Sequence, residues 1–232
     1  MSITSNRAQF LLAAGAALAA GASGEPADAA SAPSGEQPSA DAAMERLLEG
    51  NHRYVTDTGV NCARNYDRRI ETATGQMPFA IILSCSDSRV PAEMVFDQRV
   101  GDLFMIRVAG NIAEPAGIGS IEYAISHFHS PVLLVLGHQN CGAVEATLEV
   151  LKSGARPPGQ IGTLTDAIAP AVKDLAQHGG TLDQAVRANV AHVAKQLRAE
   201  STIVADAATA ASHAMRIAGA YYSLADGRVT LL

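Results

Sequence analysis

Three short apolar runs, residues 79–85 (FAIILSC), 103–109 (LFMIRVA) and 132–137 (VLLVLG), constrain this chain more than any other feature. Each has the length of a strand, and none alternates apolar with polar as a strand with one wet face would. Strands that are apolar on both sides are buried on both sides, as in a parallel sheet covered by helices. Helical patterns occupy residues 117–129, 142–152, 160–177 and 181–198 between and after these runs. Upstream, SADAAMERLLEGNHRYV reads as a helix with Ser39 or Asp41 as N-cap and an apolar stripe of Met44, Leu47 and Leu48. ARNYDRRIETATG reads as a second, mostly polar helix. The chain closes with AMRIAGAYY, a turn at Asp226-Gly227 and RVTLL, a hairpin that adds one antiparallel edge strand. The expected fold class is therefore α/β: a mostly parallel central sheet flanked by helices, with one antiparallel C-terminal edge strand. No internal repeat interrupts it, and a single domain over residues 39–232 accommodates every element.

Composition fits such a domain, with 48% hydrophobic and 17% charged residues. A net charge of −6 argues against nucleic acid, since no basic surface is available to displace phosphate counterions. The first 38 residues differ from the rest. Arg7 precedes an apolar stretch from Phe10 to Ala22, followed by a Gly/Ala/Ser/Pro-rich segment. That is the layout of an export signal and a flexible linker, too short to span a bilayer. Residues 6–12, NRAQFLL, resemble a twin-arginine signal with Ala8 in place of the second arginine. The expectation is a periplasmic or secreted protein; the alternative is a cytoplasmic protein with a low-complexity tail.

The chemistry gathers at strand ends. ILSCSDSRVP sets Cys85, Asp87 and Arg89 at alternate positions just after the first run, and HQNCGA sets His138 and Cys141 just after the third. Open parallel sheets carry their sites at these carboxyl ends, and a crossover connection allows the two strands to lie side by side. Two thiols and one imidazole suit zinc, and three protein ligands leave a fourth position open, as in a catalytic site. The three cysteines, Cys62, Cys85 and Cys141, are an odd and widely spaced set rather than a disulfide framework. Each piece has a plainer reading: a buried Cys is a small hydrophobe, His138 a core histidine, and Asp87–Arg89 an ion pair bracing a turn. Taken together, Asp87 would orient a metal-activated water while Arg89 keeps its carboxylate ionised and off the metal.

CSDSRVP followed by GHQNCGA resembles the paired signature of the β-class carbonic anhydrases, and RVAGN, GSIEYAISHF and IAGAYYSLADGRVTLL resemble further segments of that family. The resemblance implies a zinc enzyme that interconverts carbon dioxide and bicarbonate. It carries Cys85, His138 and Cys141 over as zinc ligands, with one Zn2+ per subunit, and Asp87 and Arg89 as the catalytic dyad. GQMP places Gln76 as the amide that binds a substrate oxygen, and Phe104, Tyr123 and Gly142 fall where the plant-like subclass lines its pocket. Ala109 stands where that subclass often carries valine. Some pocket residues come from a neighbouring subunit in the family, so a homodimer or higher homo-oligomer is implied, with no nucleic-acid partner and no stable membrane span.

In the family's bicarbonate-regulated subclass a tryptophan precedes the first zinc cysteine. This chain has no Trp and carries Ile82 there, so an open, plant-like site is expected, with Asp87 on Arg89. Proton relay falls to His52, His127, His129, His178, His192 or His213, which the sequence does not rank. Competing readings are a carbon disulfide or carbonyl sulfide hydrolase of the same fold and a non-enzymatic zinc–thiolate storage or sensor protein. A nucleotide-binding reading lacks any glycine-rich phosphate loop at the strand ends.

Overall fold

The computed structural model describes residues 36–60 and 66–232. The export-like segment lies almost wholly outside the described residues, as does Cys62. The chain enters through α1 (Ala40–Val55), capped by the Ser39 side chain accepting from the Ala42 N–H. After the short α2 (Tyr66–Glu71) come β1 (Ala80–Ser84), α3 (Ala92–Val95), β2 (Leu103–Arg107) and a 3-10 turn, Ala109–Asn111. Then follow α4 (Pro115–Phe128), β3 (Val132–His138), α5 (Gly142–Ser153), α6 (Ile161–Gln177), α7 (Leu182–Glu200), α8 (Thr202–Thr209), β4 (Arg216–Tyr222) and β5 (Val229–Leu231). None of the described helices is long and apolar enough to cross a membrane.

The five strands form one sheet in the order β2-β1-β3-β4-β5, parallel throughout except for the β4–β5 hairpin. The unbroken apolar runs have a direct cause. In β1, Ala80 and Ile82 face a core shared with α1 and α3, while Ile81 and Leu83 face the opposite core, shared with α4, α7 and α8. β3 divides in the same way, with Leu134 and Leu136 on one side and Leu133 and Val135 on the other. Both faces of both strands are dry, so neither strand has a polar register to show.

β1 and β2 end slightly earlier than their apolar runs, whereas β3 runs one residue past its own, to His138. The Cys85 carbonyl leaves the ladder to accept from Arg107 Nε at 3.1 Å, which closes β1 at Ser84. β2 stops at Arg107 because Gly110, two residues beyond the last ladder bond, takes a left-handed conformation with φ +74°. A Cβ at Gly110 would come within 2.6 Å of Ile168 Cδ1, so only glycine fits the turn. α4 begins earlier than its periodicity indicates, at Pro115, because the Glu114 carboxylate caps the N–H groups of Ala116 and Gly117.

Candidate metal centre

β1 and β3 are neighbours, with Ser84 level with Leu136. Cys85 and His138 therefore leave adjacent strands at the same edge of the sheet. Cys141 follows three residues later as the N-cap of α5. The Sγ of Cys85, a ring nitrogen of His138 and the Sγ of Cys141 all lie within 4.8 Å of one another. All three residues are buried. The His138 ring is oriented by its Nδ1, which lies 2.8 Å from the Gln139 carbonyl. Gln139 is itself pinned to the sheet: its N–H donates to the Tyr222 carbonyl, and its Oε1 accepts from the Ala225 N–H. The other ring nitrogen, Nε2, is fully buried and has no hydrogen-bond partner. A buried polar atom without a partner is costly, and one facing two thiols is the donor set of a metal centre. The residues fit such an ion.

The two thiols are unequal. Cys141 donates to Cys85, which lowers the Cys85 thiol from its ordinary value, aided by His138 and by the N–H groups of Gly110 and Asp87 and opposed by burial. The same bond, with burial, pushes Cys141 up.

Asp87 lies beside this cluster and is held away from it. Arg89 donates from Nε to Oδ1 at 2.9 Å and from Nη2 to Oδ2 at 2.7 Å, and its backbone N–H adds a third bond to Oδ1. These bonds hold the Asp87 carboxyl well below the usual carboxylate range. Oδ2 remains 3.9 Å from His138 Nε2, close to the cluster without joining it. Arg89 also reaches the Asn140 carbonyl at 3.4 Å, which ties the Cys85 loop to the His138 loop.

The remaining sequence-marked residues divide. Gly142 opens α5 next to Cys141, and a Cβ there would meet nothing within 4 Å, so the space above it is open. Gln76, exposed just before β1, lies toward the opposite end of that strand from Cys85. Phe104, paired with Ile81, and Tyr123, with its ring centroid 6.3 Å from that of Phe104, cluster toward that end too. Within one chain these three do not line the metal cluster. Ala109 begins the 3-10 turn behind Cys85. Of the six relay histidines none joins the cluster, and all but the half-buried His192 are exposed.

Three contributors were not marked by the sequence reading. Arg107 braces the Cys85–Asp87 loop through the Cys85 and Asp87 carbonyls, reaching Asp87 O at 2.6 Å. Gly110 donates its N–H to Cys85 Sγ at 3.3 Å. Asn189 on α7 holds the Gly110 carbonyl. The RVAGN run carried the first two as a signal; nothing near Asn189 in sequence did.

Known proteins resemble this chain in sequence and in fold. A family model described as carbonic anhydrase matches residues 80–229. A carbonic anhydrase of Mycolicibacterium smegmatis is 38% identical over 82% of this chain and 92% of its own length. In structure, the Coccomyxa β-carbonic anhydrase superposes with a TM-score of 0.63 at 26% identity, covering 82% of this chain and 86% of that one. The tetrameric β-carbonic anhydrases of the ascomycete Sordaria macrospora share the fold, with a TM-score of 0.65 at 22% identity over 82% of this chain and 97% of theirs. A signature match over most of the chain, joined to a β1–β3 edge that brings the two motif halves together, establishes the lineage: this chain belongs to the carbonic anhydrase family, in its β class.

Proposed function

We propose that this carbonic anhydrase holds one Zn2+ per subunit on Cys85, His138 and Cys141 and interconverts carbon dioxide and bicarbonate there, with Asp87 and Arg89 as the catalytic pair. The observation that carries this reading is the buried, partnerless His138 Nε2, which faces two thiols and stands 3.9 Å from a carboxylate already engaged by arginine. Bound at those three ligands, zinc supplies acidity to a water molecule, so that a hydroxide nucleophile is available near neutral pH.

The protein's own part is orientation. An ionised carboxylate only accepts hydrogen bonds. Asp87, kept ionised by Arg89, accepts the nucleophile's O–H and turns an oxygen lone pair toward the incoming carbon. Because both Arg89 donors run to the carboxylate, Asp87 stays off the ligand set and the site stays open. Gly142 leaves room for a substrate of three atoms beside Cys141. Gln76, Phe104 and Tyr123 complete the pocket from a second copy of the chain, which makes a homodimer the smallest active unit. Their distance from their own cluster supports this, and the tetrameric Sordaria proteins share the fold. Residues 39–232 are the catalytic domain, and the layout of residues 1–38 supports export.

Metal analysis and carbon dioxide hydration assays on wild type and Cys141→Ser test the core of this reading. The expected result is one zinc per wild-type chain, with metal and activity lost together in the variant. Undiminished hydration by a metal-free Cys141→Ser protein would sink the proposal. Fractionation with N-terminal sequencing of the mature chain tests export separately.

A further inference from the structure

Asn189 is fully buried on α7, far in sequence from either signature motif. Its Nδ2 donates to the Gly110 carbonyl at 2.8 Å across 79 residues of chain. Its Oδ1 is buried with no partner. An aliphatic side chain of the same volume would avoid that uncompensated oxygen, so packing alone does not account for a carboxamide here. The one bond it makes runs to a residue of unusual freedom. Gly110 sits at φ +74°, and a glycine in the left-handed region rotates on either side at little steric cost unless its neighbours fix it. Both ends of Gly110 are fixed. Asn189 holds the carbonyl, while the N–H points at Cys85 Sγ, 3.3 Å away in the buried interior.

We infer that Asn189 is a positioning residue for the metal centre, fixing Gly110 so that its N–H stays aimed at the Cys85 sulfur. The inference rests on the metal reading above. A centre with two thiolates is electron-rich, and each N–H that points at a sulfur withdraws part of that charge. Cys85 receives two such donors. The Asp87 N–H, at 3.4 Å, belongs to its own loop, which Arg107 braces through two carbonyls. The Gly110 N–H comes from the neighbouring strand's end, and α7 anchors it through Asn189 alone. A helix outside both signature motifs thereby sets the charge on a metal ligand.

The test uses the full-length protein loaded with 113Cd. In wild type, the Gly110 amide proton should show scalar coupling to 113Cd and slow exchange with solvent. Asn189→Leu should lose the coupling, exchange faster at Gly110, bind the metal about tenfold more weakly, and shift the thiolate-to-metal band of the Co2+-substituted protein. Val193→Ala, one helical turn away and equally buried, should lower thermal stability while leaving coupling and band as in wild type. Absence of coupling at Gly110 in cadmium-loaded wild type overturns the inference whether or not Asn189→Leu folds. So does an Asn189→Leu protein that loses stability yet keeps coupling, band and affinity. Failure of wild type to bind cadmium through Cys85 overturns the metal reading itself, and the two failures are thus told apart.

Discussion

In the proposed mechanism, Asp87 is where a single residue's environment decides the chemistry. Three hydrogen bonds from Arg89 fix both of its oxygens, so replacing the acid by its amide disrupts orientation rather than ligation. Under the proposed mechanism, Asp87→Asn should keep the wild-type metal content and lose about 100-fold in kcat/KM, the cost of a misaimed nucleophile. Metal content and stopped-flow hydration measured on one preparation check this; a variant with wild-type activity would remove Asp87 from the mechanism. Residues of this kind were legible in the sequence because their chemistry is compressed into two short motifs. Cys85, Asp87 and Arg89 announce themselves by alternation, His138 and Cys141 by spacing. Arg107 and Asn189 do not, since each acts through a backbone group of another residue, and an arginine or asparagine bound to a carbonyl has no sequence signature.

Among the elements, the strands were readable because burial on both faces erases polarity, and the long helices because their stripes recur. α3 and α8 escaped notice for opposite reasons. α3 is a single turn of four residues. α8 follows α7 with only Ser201 between them, and that residue serves as C-cap of one helix and N-cap of the next. The β3–α7 contact is close enough to be tested by one methyl group. A Cβ at Gly137 would lie 2.5 Å from Val190 Cγ2 and 3.0 Å from Val186 Cγ1. Gly137→Ala should therefore cost about 1–3 kcal/mol by overpacking, read by denaturant unfolding of the variant against wild type. The junction of β4 with α7 makes a further prediction. Burial, then Asp183 beside it, push the Tyr221 phenol up to about 12. Arg187 stacks over the Tyr221 ring at 4.0 Å and pairs with Asp183. A folded value above the unfolded one, about 10, means that this contribution to stability is complete below pH 10. It is lost as pH rises toward 12. Tyr221→Phe should flatten the fall in stability over that window, and an unchanged slope would show that Tyr221 titrates as freely in the folded chain as in the unfolded one.

For the whole molecule, the question is whether one chain holds a complete pocket. Gln76, Phe104 and Tyr123 gather away from the cluster formed by Cys85, His138 and Cys141, so the proposed site joins residues of two copies. Mixing two impaired variants, Cys141→Ser and Gln76→Ala, after dissociation and reassociation should restore activity. With two-fold symmetry, half the dimers are mixed and one of their two sites is intact, giving roughly a quarter of wild-type rate. No gain on mixing would mean that each chain works alone. The mostly parallel sheet and the meeting of the two motifs were foreseeable from strand and helix alternation, and the antiparallel edge from the Asp226-Gly227 turn, whereas the full strand order was not. The far-end placement of the pocket residues was not, because it depends on register along β1 and β2 rather than on residue type.

The side-by-side placement of β1 and β3 also bears on how the chain comes to fold. Their pairing is parallel and joins residues about fifty apart, so the chain that carries β2 and α4 must close a long loop before Cys85 can meet His138. Contacts so remote in sequence form late, because loop closure opposes them until the intervening elements are in place. An unfolded chain offers an ion only the local His138–Cys141 pair at this site, a poor foothold. On the proposed reading the ion arrives at a finished sheet and does not template one, unlike the small zinc modules that unravel without their metal. Chelation should abolish catalysis while circular dichroism stays native, and fresh zinc should revive the enzyme at the speed of binding rather than of folding.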